Sequence, residues 1–263
     1  MQVSILGTGW LGLPLAKALI AEGYAVKGST TTADKLEVLK QEDIEPYILD
    51  LDKFSIEDTV AFLKGSDVLI INIPPKVKAN EVSYADRLSQ LLPFIGQEGI
   101  YRVLFVSSTS VYADDNTTVT EFTLPKPDTE SGKQVLEAEL VFEEATSFKT
   151  TILRFGGLIG ADRHPVKFLA GKENIANPEA PVNLIHLEDC IGIISKIINA
   201  DCWGEVFNGV SPGHPSRKDY YTRKAIESKL PAPKFNYSEP SVGKTVSGRK
   251  VIDMLDYEFK QDL

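Results

Sequence analysis

Val3-Ser4-Ile5-Leu6-Gly7-Thr8-Gly9-Trp10-Leu11-Gly12 is the stretch on which the fold turns: an apolar run, three glycines spaced G-x-G-x-x-G, then an amphipathic segment. The run reads as a strand, and residues 10–22 read as a helix. In that context each glycine has its own task. Gly7 permits a tight turn, Gly9 lets backbone approach a pyrophosphate, and Gly12 lets the helix pack closely on the strand. The helix start at Trp10 and Leu11 then offers free N–H groups and the positive end of a dipole to phosphate oxygens. The stretch predicts a dinucleotide site.

Outward from it, the same alternation continues. Strands are expected over 3–6, 25–29, 47–49, 68–73, 102–106 and 150–154, and helices over 10–22, 33–42, 55–63, 83–94 and 132–145. The strands are rich in Val, Ile and Leu on both parities, as when both faces of a parallel sheet are covered. This predicts an α/β fold with a doubly wound parallel sheet. After Arg154 the rhythm changes to Gly- and Pro-rich sequence, one amphipathic helix over 189–199 with Asp189 as its N-cap, and a turn-rich basic segment. The expected division is a dinucleotide-binding domain over 1–155 and a smaller substrate-facing lobe over 156–263. The lobe is intermixed with the sheet, its helix 189–199 packing on the first domain.

The whole composition agrees. At 263 residues, 43% hydrophobic and 25% charged, the chain suits one large domain with a lobe and excludes a disordered or fibrous protein. No apolar run approaches about eighteen residues, so no membrane span is expected. Met1 leads directly into the first strand without a basic n-region, so a cytoplasmic location is the expectation. Cys190 and Cys202 form no ligand pattern. His164, His186 and His214 have no ligand spacing either, so no metal is expected. A net charge of -9 opposes nucleic acid. Residues 211–250 nevertheless gather nine Lys/Arg against three acids. Two explanations stand open for that cluster: a solvated face, or a grip on an anionic small substrate.

At the end of the second strand, where a NAD site usually carries an acid for the ribose, the chain reads Gly28-Ser29-Thr30-Thr31-Thr32, with Lys35 soon after. Hydroxyls and an ammonium can hydrogen-bond a 2'-phosphate, so NADP is favoured over NAD. A Ser/Thr-rich turn would equally cap the next helix. Asp50-Leu51 is placed to meet the adenine edge, and Ile73-Pro74 to line the groove.

Further along stand Ser107-Ser108-Thr109-Ser110-Val111-Tyr112, Arg154-Phe155-Gly156-Gly157-Leu158-Ile159-Gly160, Arg163-His164-Pro165, His186-Leu187-Glu188-Asp189 and Val206-Phe207-Asn208. With the glycine motif, these segments resemble the extended short-chain dehydrogenase/reductases, the epimerase/dehydratase group, and more narrowly their atypical YeeZ-like branch. The resemblance covers nearly the whole chain. It implies a Rossmann-type fold and hydride transfer at a hydroxyl or carbonyl carbon of a polar small molecule. Ser108 would hold the reacting oxygen and Lys133 the nicotinamide ribose, while Ser107, Phe155 and Gly156 would border the cofactor. It also implies a homodimer through the helices over 83–94 and 132–145. The family's Tyr-x-x-x-Lys falls on Thr129-Glu130-Ser131-Gly132-Lys133, so threonine stands at the tyrosine place. Tyr112 is then the nearest substitute acid, or else a structural aromatic. Arg163, His164 and His214 are candidates for gripping substrate. Two alternatives remain open: a cofactor-binding sensor without turnover, and a β-hydroxyacid-type dehydrogenase, whose all-helical C-terminal domain the Gly/Pro-rich residues 155–183 argue against.

Overall fold

A computed structural model of the chain describes residues 1–75, 82–160 and 162–263. In chain order it builds β1 (Gln2–Leu6), α1 (Gly12–Ala21), β2 (Ala25–Thr30), α2 (Asp34–Gln41), β3 (Glu45–Ile48), α3 (Ile56–Leu63), β4 (Val68–Ile71), α4 (Tyr84–Ser89), α5 (Leu92–Gln97) and β5 (Arg102–Ser108). There follow β6 (Thr118–Val119), α6 (Glu130–Glu143), β7 (Lys149–Phe155), β8 (Gly157–Ile159), α7 (Val166–Leu169), β9 (Leu184–His186), α8 (Leu187–Asn199), β10 (Val206–Gly209), α9 (Arg217–Glu227), β11 (Thr245–Val246) and α10 (Arg249–Leu255). The central sheet is parallel and seven-stranded, in the order β10-β7-β5-β4-β1-β2-β3. The direction of winding reverses between β1 and β4, and such a switch point opens a crevice at the carboxyl ends of the strands.

The chain forms two compact units, neither continuous in sequence. One comprises residues 1–108, 129–154 and 194–206; the other comprises 109–128, 155–193 and 207–263. In the first, α1 buries Gly12, Leu15, Ala16 and Leu19, the i, i+3, i+4, i+7 stripe of a helix lying on a sheet. A second layer buries Phe62, Leu69, Ile71, Leu88, Phe105 and Phe142 together. The other unit has its own core around Ile159, Val182, Leu184, Tyr220 and Tyr221.

Three details differ from the sequence reading. The helix expected over 83–94 is two helices, because Pro93 lacks an N–H to continue the ladder and instead sits in the first turn of α5. The helix expected over 189–199 begins at Leu187, directly after β9. Asp189 therefore lies in its first turn, fully buried, where Oδ1 accepts from the Tyr257 hydroxyl at 2.9 Å and the Lys260 amide at 2.7 Å. The basic segment near the end contains α9 and α10. The outward side of α9 is charged, and only Tyr220, Tyr221 and Ala225 face inward, which leaves a faint helical period in the sequence.

Candidate dinucleotide site and the serine pair

The β1–α1 turn is fixed from two sides. Gly7 N donates to Ser29 Oγ at 2.9 Å, Thr8 N and Oγ1 both donate to Ser29 O, and Asn72 Nδ2 donates to Gly7 O at 3.0 Å. Gly7 has φ +100°, and a Cβ there would lie 2.6 Å from Asn72 O. A Cβ on Gly12 would lie 2.1 Å from Gly7 O. These two glycines are demanded by the fold itself. Gly9 is not: a Cβ there meets nothing within 4 Å. Its emptiness suits a group from outside that needs the backbone close. The start of α1 agrees, since Leu11 at its N-cap supplies no side-chain acceptor and its first turn holds no acid. Amides and dipole there suit an anion such as a pyrophosphate.

Beside this turn lies a cavity of about 260 Å³. Of the residues singled out in the sequence, Gly7, Gly9, Ser29, Thr30, Lys35, Asp50, Leu51, Ile73 and Pro74 line it. Thr31, from the same hydroxyl-bearing run, lines it too, as do Asp52, Asn72, Tyr84 and Arg87, which no motif in the sequence marks for the cofactor. Arg87 gave no local signal, because its partner, Asp52, is 35 residues away: NH1 meets Asp52 Oδ1 at 2.7 Å, the arginine almost wholly buried. Tyr84, one turn earlier on α4, donates its hydroxyl to Ile73 O at 2.6 Å. Ser29 is only 1% exposed and its oxygen serves Gly7 N, so its contribution is to the shape of the turn. Thr30, Thr31 and Lys35 form the hydroxyl- and ammonium-bearing wall.

Ser107 and Ser108 end β5. Ser107 Oγ donates to the carboxylate of Glu139 on α6. That carboxylate also takes a forked pair from Arg154 on β7, with NH2 at 2.6 Å and Nε at 3.0 Å. All three residues are buried. A buried ion pair of this kind stands only when every lone pair and proton is met, and here they bind β5, α6 and β7 together. Burial, reinforced by the Glu139 charge, raises the carboxyl of nearby Glu143 above its usual range. Lys133 lies in the first turns of α6 and is exposed. Thr129 is the N-cap of that helix, its Oγ1 accepting from Gly132 N at 3.1 Å.

In the other unit, the Tyr112 hydroxyl is buried and donates to Asn208 Oδ1 at 3.0 Å. Phe155 ends β7, and a Cβ on Gly156 would lie 2.7 Å from Asn183 O, so close strand packing demands that glycine. His164 Nδ1 accepts from Val166 N, which puts the proton on Nε2, 3.0 Å from the Tyr220 hydroxyl. Burial, then the charges of Lys224 and Lys167, hold this imidazole below its ordinary pKa. His214 Nδ1 donates to Val182 O, and Arg163 is exposed in a turn closed by Gly160. Much of the basic segment is paired with acids, several from outside it: Lys218 with Glu179, Lys234 with Glu173, Lys244 with Asp114 and Arg249 with Asp253.

Residues 7–183 match the NAD(P)H-binding family. Protein YeeZ of Escherichia coli K-12 is 35% identical over 98% of this chain and 96% of its own length. The chain belongs to this family, as an atypical YeeZ-like short-chain dehydrogenase/reductase. Solved structures share the fold of this reductase-like chain. A functionally unknown conserved protein from Silicibacter pomeroyi DSS superposes with a TM-score of 0.81 at 22% identity, over 99% of this chain and 94% of that one. The UDP-glucuronic acid 4-epimerase of Bacillus cereus, in complex with UDP-glucuronic acid and NAD, gives 0.80 at 19% identity, over 100% and 95%. Among the described residues no helix is long and apolar enough to cross a membrane, and no cluster of three or more His, Cys, Asp or Glu could hold a metal ion.

Proposed function

We propose that this chain is an NADP(H)-binding oxidoreductase or epimerase acting at a hydroxyl-bearing or carbonyl carbon of a polar small molecule. The observation that carries this is Gly9, a glycine that neither backbone conformation nor packing requires, standing where a pyrophosphate needs the main chain close. When bound, the nicotinamide gives or takes a hydride; the rest falls to side chains. Residues within 1–155 supply most of the dinucleotide-binding part, which 194–206 rejoin, and residues within 156–263, with 109–128, most of the substrate-facing lobe, with Arg163, His164 and His214 on the substrate side. Trp10, Leu11 and Gly12 offer amides to phosphate, and Ser107, Phe155 and Gly156 border the nicotinamide end. Ser108 orients the reacting oxygen and Lys133 holds the ribose. NADP is favoured over NAD because Thr30, Thr31 and Lys35 line the cavity while residues 28–32 contain no acid.

An alkoxide formed by hydride delivery needs a proton, and two observations bear on its source. Thr129 stands where the family resemblance places tyrosine, and its oxygen caps α6. The Tyr112 hydroxyl donates its hydrogen bond to Asn208 Oδ1. They favour a second reading, a dinucleotide-binding sensor that does not turn over.

Calorimetric titration of the cofactor-stripped protein with both redox states of NADP and NAD tests the first reading. NADP(H) should bind about tenfold or more tighter than NAD(H), a preference that Lys35→Ala removes. Binding of neither dinucleotide would sink both readings. A Ser108→Ala variant fully active on a substrate found by screening would remove Ser108 from the mechanism. Tight binding that differs with redox state, without turnover across the screen, would establish the sensor.

A further inference from the structure

Helix α9 buries Tyr220, Tyr221 and Ala225 on its inner side, and its outer side forms one wall of a shallow groove of about 530 Å³. The charged residues of α9 that line the groove are Lys218, Asp219, Arg223 and Glu227, in the order plus, minus, plus, minus, with Thr222 and Ile226 among them. Pro233, Phe235 and Tyr237 form the opposite wall. They are alternate residues of a segment that runs beside 171–177 in parallel: Gly171 N donates to Pro231 O, Lys234 N to Lys172 O and Asn236 N to Ile175 O. That neighbouring chain leads to Pro178, whose O accepts from Lys218 N at the start of α9. Tyr237 therefore stands at the Lys218 end of the groove, far from Ile226. Ile226 and Tyr237 are 67% and 63% exposed, an apolar group open to solvent at each end. The four charges have only exposed partners, among them Glu179 for Lys218 and Lys224 for Glu227. Such pairs are worth about 1 kcal/mol or less and exchange readily.

Read from its other end, this order of charges is its own complement. A two-fold pair sets one patch against the same patch, so that residue i of one copy meets j of the other as j meets i. We propose that two copies of this chain associate through α9 and residues 233–237, the two helices antiparallel. Lys218 of each copy then faces Glu227 of the other, and Asp219 faces Arg223, so every charge lies opposite its complement. The apolar ends obey the same rule: Ile226 of each copy enters the groove of the other beside Tyr237. A uniformly acidic partner would match the two bases and oppose the two acids, and a basic one the reverse. Lys218 to Glu227 spans only about 14 Å of helix. The contact is therefore small for a specific interface, and the association is reversible, with a midpoint on the order of 10 µM. This surface is separate in sequence from α4 and α6, where the family resemblance implies a dimer.

The test is sedimentation velocity of the full chain from about 1 to about 300 µM, in low and in high salt. The parent protein should associate as concentration rises, about threefold or more weakly at about 500 mM NaCl than at about 50 mM. Ile226→Glu places a carboxylate in the apolar contact of both copies and should weaken association about tenfold or more. Lys218→Glu sets like charges face to face and should weaken it about threefold or more. Adding Glu227→Lys to Lys218→Glu restores opposite charges across the two-fold and should return the midpoint to within about threefold of the parent, a rescue that damage to the fold cannot produce. If Ile226→Glu does not fold, the charge exchange carries the test alone. A mass that stays that of one chain throughout overturns the proposal, as does a double variant weaker than Lys218→Glu alone. A dimer that Ile226→Glu leaves intact and Leu140→Glu, at an exposed position of α6, dissolves also overturns it and places the contact on α6.

Discussion

Two places within the first unit, the β1–α1 turn and the meeting of β5, α6 and β7, are held by opposite means. The turn is held by backbone. Its constraints are a positive φ at Gly7, a 2.1 Å clash awaiting any Cβ on Gly12, and bonds made by the main-chain groups of Gly7 and Thr8 to Ser29. The serine end is held by side chains far apart in sequence, with Ser107, Glu139 and Arg154 sharing one buried carboxylate. The difference teaches where tolerance lies. Backbone constraints admit glycine and little else, whereas a buried charge network admits substitution only as a set.

The harshest way to break that comparison is at the carboxylate. Glu139→Gln leaves Arg154 buried without its countercharge and should cost about 3–5 kcal/mol, read as a large drop in melting temperature. A loss below about 1 kcal/mol would mean the network is peripheral to stability. The glycines sharpen the other side. Gly12→Ala should cost about 1–3 kcal/mol by forcing helix from strand. Gly9→Ala should change stability by less than about 0.5 kcal/mol while weakening dinucleotide binding. Equal behaviour of the two variants in melting and titration would erase the distinction between a glycine the fold requires and one a ligand requires.

Smaller effects follow. Thr129→Ala removes the N-cap of α6 and should cost about 1 kcal/mol, with Thr129→Ser restoring most of it. For His164 the direction is set by burial and neighbouring lysines, which keep the folded imidazole neutral where an unfolded one would protonate. The unfolded chain then binds more protons in the window between the depressed folded pKa and about 6.5, so this contribution is whole above that window and is lost as pH falls through it. Melting curves at pH 7.5 and 5 should therefore show a smaller acid-side drop in His164→Phe than in the parent protein.

How much could be read beforehand follows the same division. Gly7, Gly9 and Gly12, the strands on either side, Asp50-Leu51 and Ile73-Pro74 are local signals, and of the residues named all but Gly12 line one cavity. Arg87 and Asp52, or Glu139 and Arg154, are ordinary charged residues until folding brings them together; neither periodicity nor a motif spacing marks them. Pro93 lies inside an apolar period that hides the break it makes between α4 and α5. Asp189 stands where a cap would, before an apolar run, yet it is a buried acceptor for Tyr257 and Lys260, partners about 70 residues downstream.

The first unit is completed late. Residues 194–206 return to it after the chain has left, and there Ile152 N donates to Glu205 O at 2.8 Å and Thr151 Oγ1 to Cys202 O at 3.1 Å. A fragment ending at residue 155 would leave β7 as a bare outer strand, its amides open to any passing chain, and such edges recruit partners into aggregates. The dinucleotide-binding part is therefore not a cassette that recombination or a cloning boundary can lift out whole. During synthesis it must also wait, exposed along that edge, until about fifty more residues have emerged.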